Sequence, residues 1–180
     1  MVLRDSFMRA DPEVSRRIVA ALYRLRTAGP SPRMRDGGVL MRFISDAGEN
    51  TWFEIETEAE AAQESRLMAH AVEKHFCQAY ATARASYVPP TGPFVEQEIG
   101  LKDHIRRTMP RFFTLRDPEG NGLATAMLRL SPAAEKTTQA VIVGPSNSDP
   151  YPEHGGAIRK LGEHFGVKLD RVHCYPYSRR

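Results

Sequence analysis

Cysteine is scarce in this chain: 180 residues contain only Cys77 and Cys174. Two cysteines cannot build a disulfide framework, and the expected setting is a reducing cytoplasm. No apolar run approaches the ~20 residues that a membrane-spanning helix requires. The opening MVLRDSFMRADPE lacks an apolar stretch, so no secretory signal is expected. There is no internal repeat or low-complexity tract, which excludes solenoids and arrays. The Gly-Lys-Ser/Thr of a phosphate-binding loop is missing too. Tryptophan occurs once, and the six histidines are scattered.

What remains is ordinary globular material, 41% hydrophobic and 26% charged, enough for one core. The formal net charge of +3 is mild, but its distribution is uneven. Up to Arg42 there are nine arginines against four acids, whereas from Asp46 to Glu64 every charged residue is acidic. An arginine-rich arm can neutralise phosphates through its guanidinium forks, or pair with the acidic stretch of its own chain.

Local patterns predict the elements. Asp11-Pro12 is a helix start, Val14, Ile18, Leu22 and Leu25 recur at helical spacing, and Gly29-Pro30 ends the run. Arg16, Arg17 and Arg24 occupy the opposite face of that helix. GPSPRMRDGG reads as a linker, dividing a basic N-terminal element (1–36) from a single domain (37–180). VLMRFIS and TWFEIET form a hairpin across DAGEN. Thr57 with Glu60 makes a capping box for a long helix running to about Arg84. A second helix spans about Glu96 to Thr108. RFFTLRD and LATAMLRL form another hairpin across PEGNG, with Asp117 capping the turn. TTQAVIVG is a strand, GAIRKLGEHFG a short helix and VKLDRVHCY a last strand. The fold class is α+β: a mixed, mostly antiparallel sheet of hairpins covered by helices, preceded by the basic amphipathic helix.

The stretch ESRLMAHAVEKHFCQAY concentrates ionisable groups on the long helix. At 100° per residue, Met68, Val72, Phe76, Ala79 and Ala83 form the stripe that seeks the sheet, and His70 falls nearly opposite, facing out. His70 and His75 are five apart and do not share a face. His70 and Cys77 share one but lie ~10 Å apart along the axis. No metal site and no cofactor is expected. Of the aromatics Trp52, Phe53, Phe112 and Phe113, alternation leaves one of each pair outward. His104 lies on a charged helix face with Lys102, Arg106 and Arg107 and has no nucleophile to serve.

Several of these residues also occur in a recognisable order. Glu64 precedes Met68-Ala69-His70-Ala71-Val72. Leu115-Arg116-Asp117 follows, with a turn ending in Gly120, then Ala124-Thr125. Gln139 and Gly144-x-x-Asn147-x-x-Pro150 complete the series. This succession, over about residues 52–165, resembles the PcfJ-like proteins of phages and conjugative plasmids. The family pattern carries a cysteine where this chain has Ala71, glycines where it has Glu73 and Lys74, and a glutamate after Thr125 where it has apolar residues and Arg129. The resemblance implies a mobile-element context, and the departures imply a binding role over catalysis.

Two expectations follow. The first is a non-catalytic accessory protein that binds a host or element macromolecule, with inhibition of a defence or replication protein as a role that would suit it. A protein partner is favoured over nucleic acid. Arg16, Arg17, Arg24, Lys102, Arg106, Arg107 and Arg111 would be its contact residues. The alternative is an enzyme acting on a nucleotide or phosphorylated substrate. There His70 would be the acid/base, Arg116 the anion clamp, and Asn147 with Ser148 the substrate contacts.

Overall fold

Alternation of side chains in VLMRFISDA and NTWFEI, with a turn at Gly48 in the left-handed region (φ 84°), produces the central hairpin. The computed structural model describes residues 33–36, 39–130 and 140–179. The expected N-terminal helix, with Arg16, Arg17 and Arg24, lies outside the described residues.

Seven strands of the described residues form one sheet: β1 (Arg33–Asp36), β2 (Val39–Ala47), β3 (Asn50–Ile55), β4 (Arg111–Arg116), β5 (Gly122–Leu128), β6 (Ala140–Val143) and β7 (Cys174–Tyr175). They lie side by side in chain order. Every pair is antiparallel except β6–β7, which is parallel. The four α-helices of the described residues are α1 (Glu58–Met68), α2 (Val72–Ala85), α3 (Phe94–Thr108) and α4 (Tyr151–Phe165). The fold is α+β with a mixed, mostly antiparallel sheet. No helix among the described residues is long and apolar enough to cross a membrane.

Period-two alternation sorts the sheet into two covered faces. Trp52, Phe113, Leu115, Ala126, Leu128 and Ile142 meet Ile158 and Leu161 of α4 in the larger core. Trp52 donates its indole N–H to the carbonyl of Ala157 on that helix, 2.9 Å away. Phe112 and Ile55 point to the other face and meet Ala61 of α1 with Val72 and Phe76 of α2. Both faces being covered, Trp52, Phe53, Phe112 and Phe113 are all buried. This corrects the expectation of an outward aromatic and removes a stacking platform for bases at these positions.

Three further differences have local causes. Arg33–Asp36, expected in the linker, pairs with Val39–Arg42 as an added strand. α4 begins at Tyr151, five residues before the predicted GAIRKLGEHFG, because Pro150 and Pro152 suit the first turn of a helix. The last predicted strand shrinks to Cys174–Tyr175, with Arg171–His173 in a 3₁₀ turn. The Thr57–Glu60 capping box forms as the sequence predicts: Glu60 donates its N–H to Thr57 Oγ1 (3.2 Å), and Thr57 donates its N–H to Glu60 Oε2 (2.9 Å).

Candidate active site

The long helix predicted from Glu58 to Arg84 is two helices, and the break is where the site begins. Ala69 closes α1 in the left-handed conformation (φ 51°, ψ 46°) and α2 starts at Val72. Neither glycine nor proline marks the spot. Ser65 ties the break together instead. Its carbonyl accepts the N–H groups of Ala69 and His70, and its hydroxyl accepts the N–H of Glu73 at 2.8 Å. That side chain satisfies one of the four orphan donors at the start of α2, whose own N-cap, Ala71, makes no side-chain bond.

The break turns His70 inward, which corrects the prediction that it faces away from the sheet. Its Nε2 lies 2.9 Å from Thr125 Oγ1 on β5. Thr125 donates its hydroxyl proton to Glu64 Oε1 (2.5 Å) on α1. Glu64 Oε2 in turn accepts from Arg116 Nη2 on β4. Glu64, Thr125 and Arg116 are all buried. A bulge between Leu115 and Arg116 sets Arg116 opposite Gly122. A Cβ at that glycine would collide with Met68 Sδ and come within 2.8 Å of Arg116 Nη1. The bare backbone at residue 122 is what admits the guanidinium and the thioether above β5.

Donor and acceptor capacities fix the direction of this chain. Arginine only donates, so the Glu64 carboxylate accepts from Arg116 and from Thr125. The single hydroxyl proton of Thr125 is thereby used, and Thr125 Oγ1 accepts from His70 Nε2–H. Nδ1 is then the basic nitrogen of His70. Burial pushes the imidazole below its ordinary pKa of 6.5, its own backbone carbonyl opposes that shift, and nearby His75 adds to it. Burial thus favours the uncharged form of His70, and the hydrogen-bond chain assigns its proton to Nε2.

His70 and Thr125 open onto a cleft of about 480 Å³ between the helix break and strands β5–β7. Its walls are largely apolar: Val72, Phe112, Met127, Val141, Val143 and Pro176. His75 and Asn147 supply further polar edges, and among the described residues no lysine, arginine, aspartate or glutamate lines it. Asn147 reaches the cleft from a loop in which Ser146 and Asn147 both have positive φ (53° and 60°). With Ala69, these are the described non-glycine residues in the left-handed region, and all three flank the cleft or its histidine. Strain of this kind costs of order 1–3 kcal/mol per residue and clusters at functional sites.

The other predicted site residues fall elsewhere. Arg116 is no anion clamp, since it is 1% exposed and committed to Glu64. Ser148 does not line the cleft. Its carbonyl accepts from Gly144 N–H and from Tyr177 Oη, and its own N–H goes to Pro145, so the loop has spent donors that a phosphate would need. Lys102, Arg106 and Arg107 are exposed on α3. Arg111 is not a free contact residue: it grips Glu54 with two bonds of 2.5 and 2.7 Å and stacks over Phe165. Asp117 caps its turn as expected, accepting from Asn121 N–H and Asn121 Nδ2, and the Asn121 side chain leads in lowering its pKa. Among the described residues no cluster of three or more His, Cys, Asp or Glu is placed to hold a metal ion.

As site residues, Glu64 and Thr125 are indicated in the sequence by the family resemblance, and a physical signal is present as well. Ala61, Glu64 and Met68 share one helical face, and Phe112, Thr114 and Arg116 share one strand face. One acid and one base, each alone at an inward position, mark a buried pair. No family model matches the chain, and no curated protein or solved structure shows significant similarity to it.

Proposed function

We propose that this protein binds a small, uncharged and largely apolar molecule in the His70 cleft and moves a proton on it through the neutral imidazole. The observation that carries the reading is the Arg116–Glu64–Thr125–His70 chain, which runs from a buried ion pair to the mouth of an apolar cleft. A buried ion pair contributes little net stability, because desolvation offsets its attraction. Here it fixes the orientation of one base. A neutral histidine with a defined tautomer suits general-base work near pH 7. Among the described residues the cleft lining holds no lysine or arginine, which speaks against the nucleotide or phosphorylated substrate expected from the sequence. A ligand with an apolar body and one polar head, set between His70 and Asn147, matches the walls.

The resemblance to PcfJ-like proteins supports the same location. Glu64, His70, Arg116, Thr125 and Asn147 are residues on which it rests, and they converge on the relay and the cleft. A mobile-element origin remains part of the proposal. The adaptor expectation, by contrast, rested on His70 pointing to solvent.

The test is a fragment titration of the full chain followed by methyl and imidazole NMR. Neutral aromatic fragments carrying one donor should shift Met127, Val141 and Val143, and His70→Ala should abolish those shifts. Imidazole nitrogen shifts should report Nε2 protonated and Nδ1 bare. The reading fails if neutral fragments leave these methyls unmoved, or if His70 titrates like a free imidazole.

A protein partner belongs to a second reading, favoured by a different observation. α3 buries none of its fifteen residues. Phe94, Val95 and Ile99 on its first half, with Val88 before it, are large and exposed. Large apolar side chains exposed so close together in the chain favour an interaction site. Replacing Phe94, Val95 and Ile99 with serine should remove a specific lysate partner captured by the native chain, while leaving fragment shifts at Val141 and Val143 unchanged. Retention of the partner would sink this reading. Nucleic-acid contact through Arg16, Arg17 and Arg24 concerns residues outside the described ones. Its test is the salt dependence of binding by the full chain, which should be steep if phosphates are engaged.

A further inference from the structure

A second cleft, of about 440 Å³, lies where β3 ends and β4 begins, roofed by the second half of α3. Its charged lining consists of Arg42, Lys102, Arg106 and Arg111 against Glu54 and Glu56. The two acids are already matched. Arg111 holds Glu54 with a two-bond fork, and Arg42 reaches both Glu54 (3.5 Å) and Glu56 (3.2 Å). Lys102 and Arg106 have no acidic partner among the described residues, and both are exposed.

These two cations stand four residues apart on one face of α3, the spacing at which like charges repel by about 0.2–0.5 kcal/mol. The floor beneath them is apolar, built from Ile55, Phe76, Ile105 and Met109, with Tyr80 at its side. Positive charge at the rim over a greasy floor is the complement of an amphiphilic anion. The anion relieves the rim repulsion, and its apolar body removes exposed surface from water at about 25 cal/mol per Å².

We infer that this cleft is a binding site for a small amphiphilic monoanion, a carboxylate with a short alkyl or aryl body, held between Lys102 and Arg106 and lying on Phe76 and Met109. The chemistry differs from that of the His70 cleft, whose described lining holds no lysine, arginine, aspartate or glutamate, so the two sites select different molecules. Both are built against α2: Val72 lines one and Phe76 the other, and Phe76 packs on Phe112 of the first cleft with ring centroids 5.3 Å apart.

Octanoate, octanol and inorganic phosphate are the probes, each titrated into the full chain and followed by NMR at Phe76, Tyr80, Ile105 and Met109. Octanoate should saturate these residues. Octanol should bind at least about tenfold more weakly, because it lacks the charge, and phosphate should leave the floor residues unmoved. Lys102→Gln/Arg106→Gln changes only exposed side chains, and should lower octanoate affinity about tenfold or more while leaving octanol unaffected. The inference is overturned if octanoate shifts map to Val141 and Val143 instead, or if the double variant binds octanoate as the native chain does. It is overturned equally if phosphate alone binds as tightly as octanoate, since the site would then read charge without the body.

Discussion

The two faces of one sheet solve the same burial problem in opposite ways. On one, the uninterrupted α4 lays Ile158 and Leu161 across Trp52, Phe113 and Leu115, and the contact is mainly apolar, with the Trp52 indole bond and the Glu54-paired Arg111 stacked over Phe165 as its polar features. On the other, a longer helical run is cut at Ala69 into pieces of 11 and 14 residues. Its two pieces bury a smaller apolar cluster, an ion pair and a threonine, and leave a cleft. The first arrangement maximises packed area. The second gives up packing so that a base can be held in a fixed tautomer at a cavity wall. A scaffold face and a working face therefore share the same strands, with alternate residues assigned to each.

The strongest way to break the comparison is to remove one charge from the working face. Glu64→Gln or Arg116→Met should cost about 3–5 kcal/mol in urea unfolding, because each leaves a buried partner unmatched. Glu64→Leu together with Arg116→Met should recover most of that loss. On the scaffold face Leu161→Ala should cost a comparable 2–5 kcal/mol by opening a cavity. There no polar-for-apolar second change could rescue it, so the rescue distinguishes the faces. Gly122→Ala comes next. Its methyl meets Met68 and Arg116, both held by packing, and thermal unfolding should show a loss of about 1–3 kcal/mol.

Thr125→Val keeps the shape and deletes the link. It should cost about 1–2 kcal/mol and release His70 from its single tautomer, read from imidazole nitrogen shifts. Ala69→Gly sharpens the picture through its sign. In the observed left-handed position glycine should stabilise by about 1 kcal/mol, whereas inside a continuous helix it would destabilise by about as much. The smallest effect is on pH dependence. The pKa of His70 is depressed below its ordinary 6.5 in the folded chain, so the unfolded chain takes up that proton first on acidification. The stability linked to His70 is complete above about pH 6.5 and is lost as pH falls toward the lowered folded value. His70→Gln should flatten that part of a stability–pH curve.

Much of the frame was legible in the residues. The two hairpins, the Thr57–Glu60 capping box, the Asp117 turn and the inward stripe of Met68, Val72, Phe76 and Ala83 all rest on interactions within a few residues, or on a period the sequence displays. The break at Ala69 was not legible for the same reason. The apolar spacing runs on through Met68 and Val72 without a fault, and the residue that stabilises the gap is a serine four positions before it. An error of one helical joint then moved His70 from solvent to the interior and reversed the reading of its role.

By itself the sequence determined most of the helices and strands and the apolar stripe of the long helical run, because those follow from local propensity and periodicity. Only the tertiary structure decided that Glu64, Arg116, Thr125 and His70 meet. Their contacts span separations of up to 61 residues, and each is satisfied by a partner no local rule can name. A buried charge tolerates no vacancy, so it was the folded chain, bringing α1 over β4 and β5, that chose which acid faced which base.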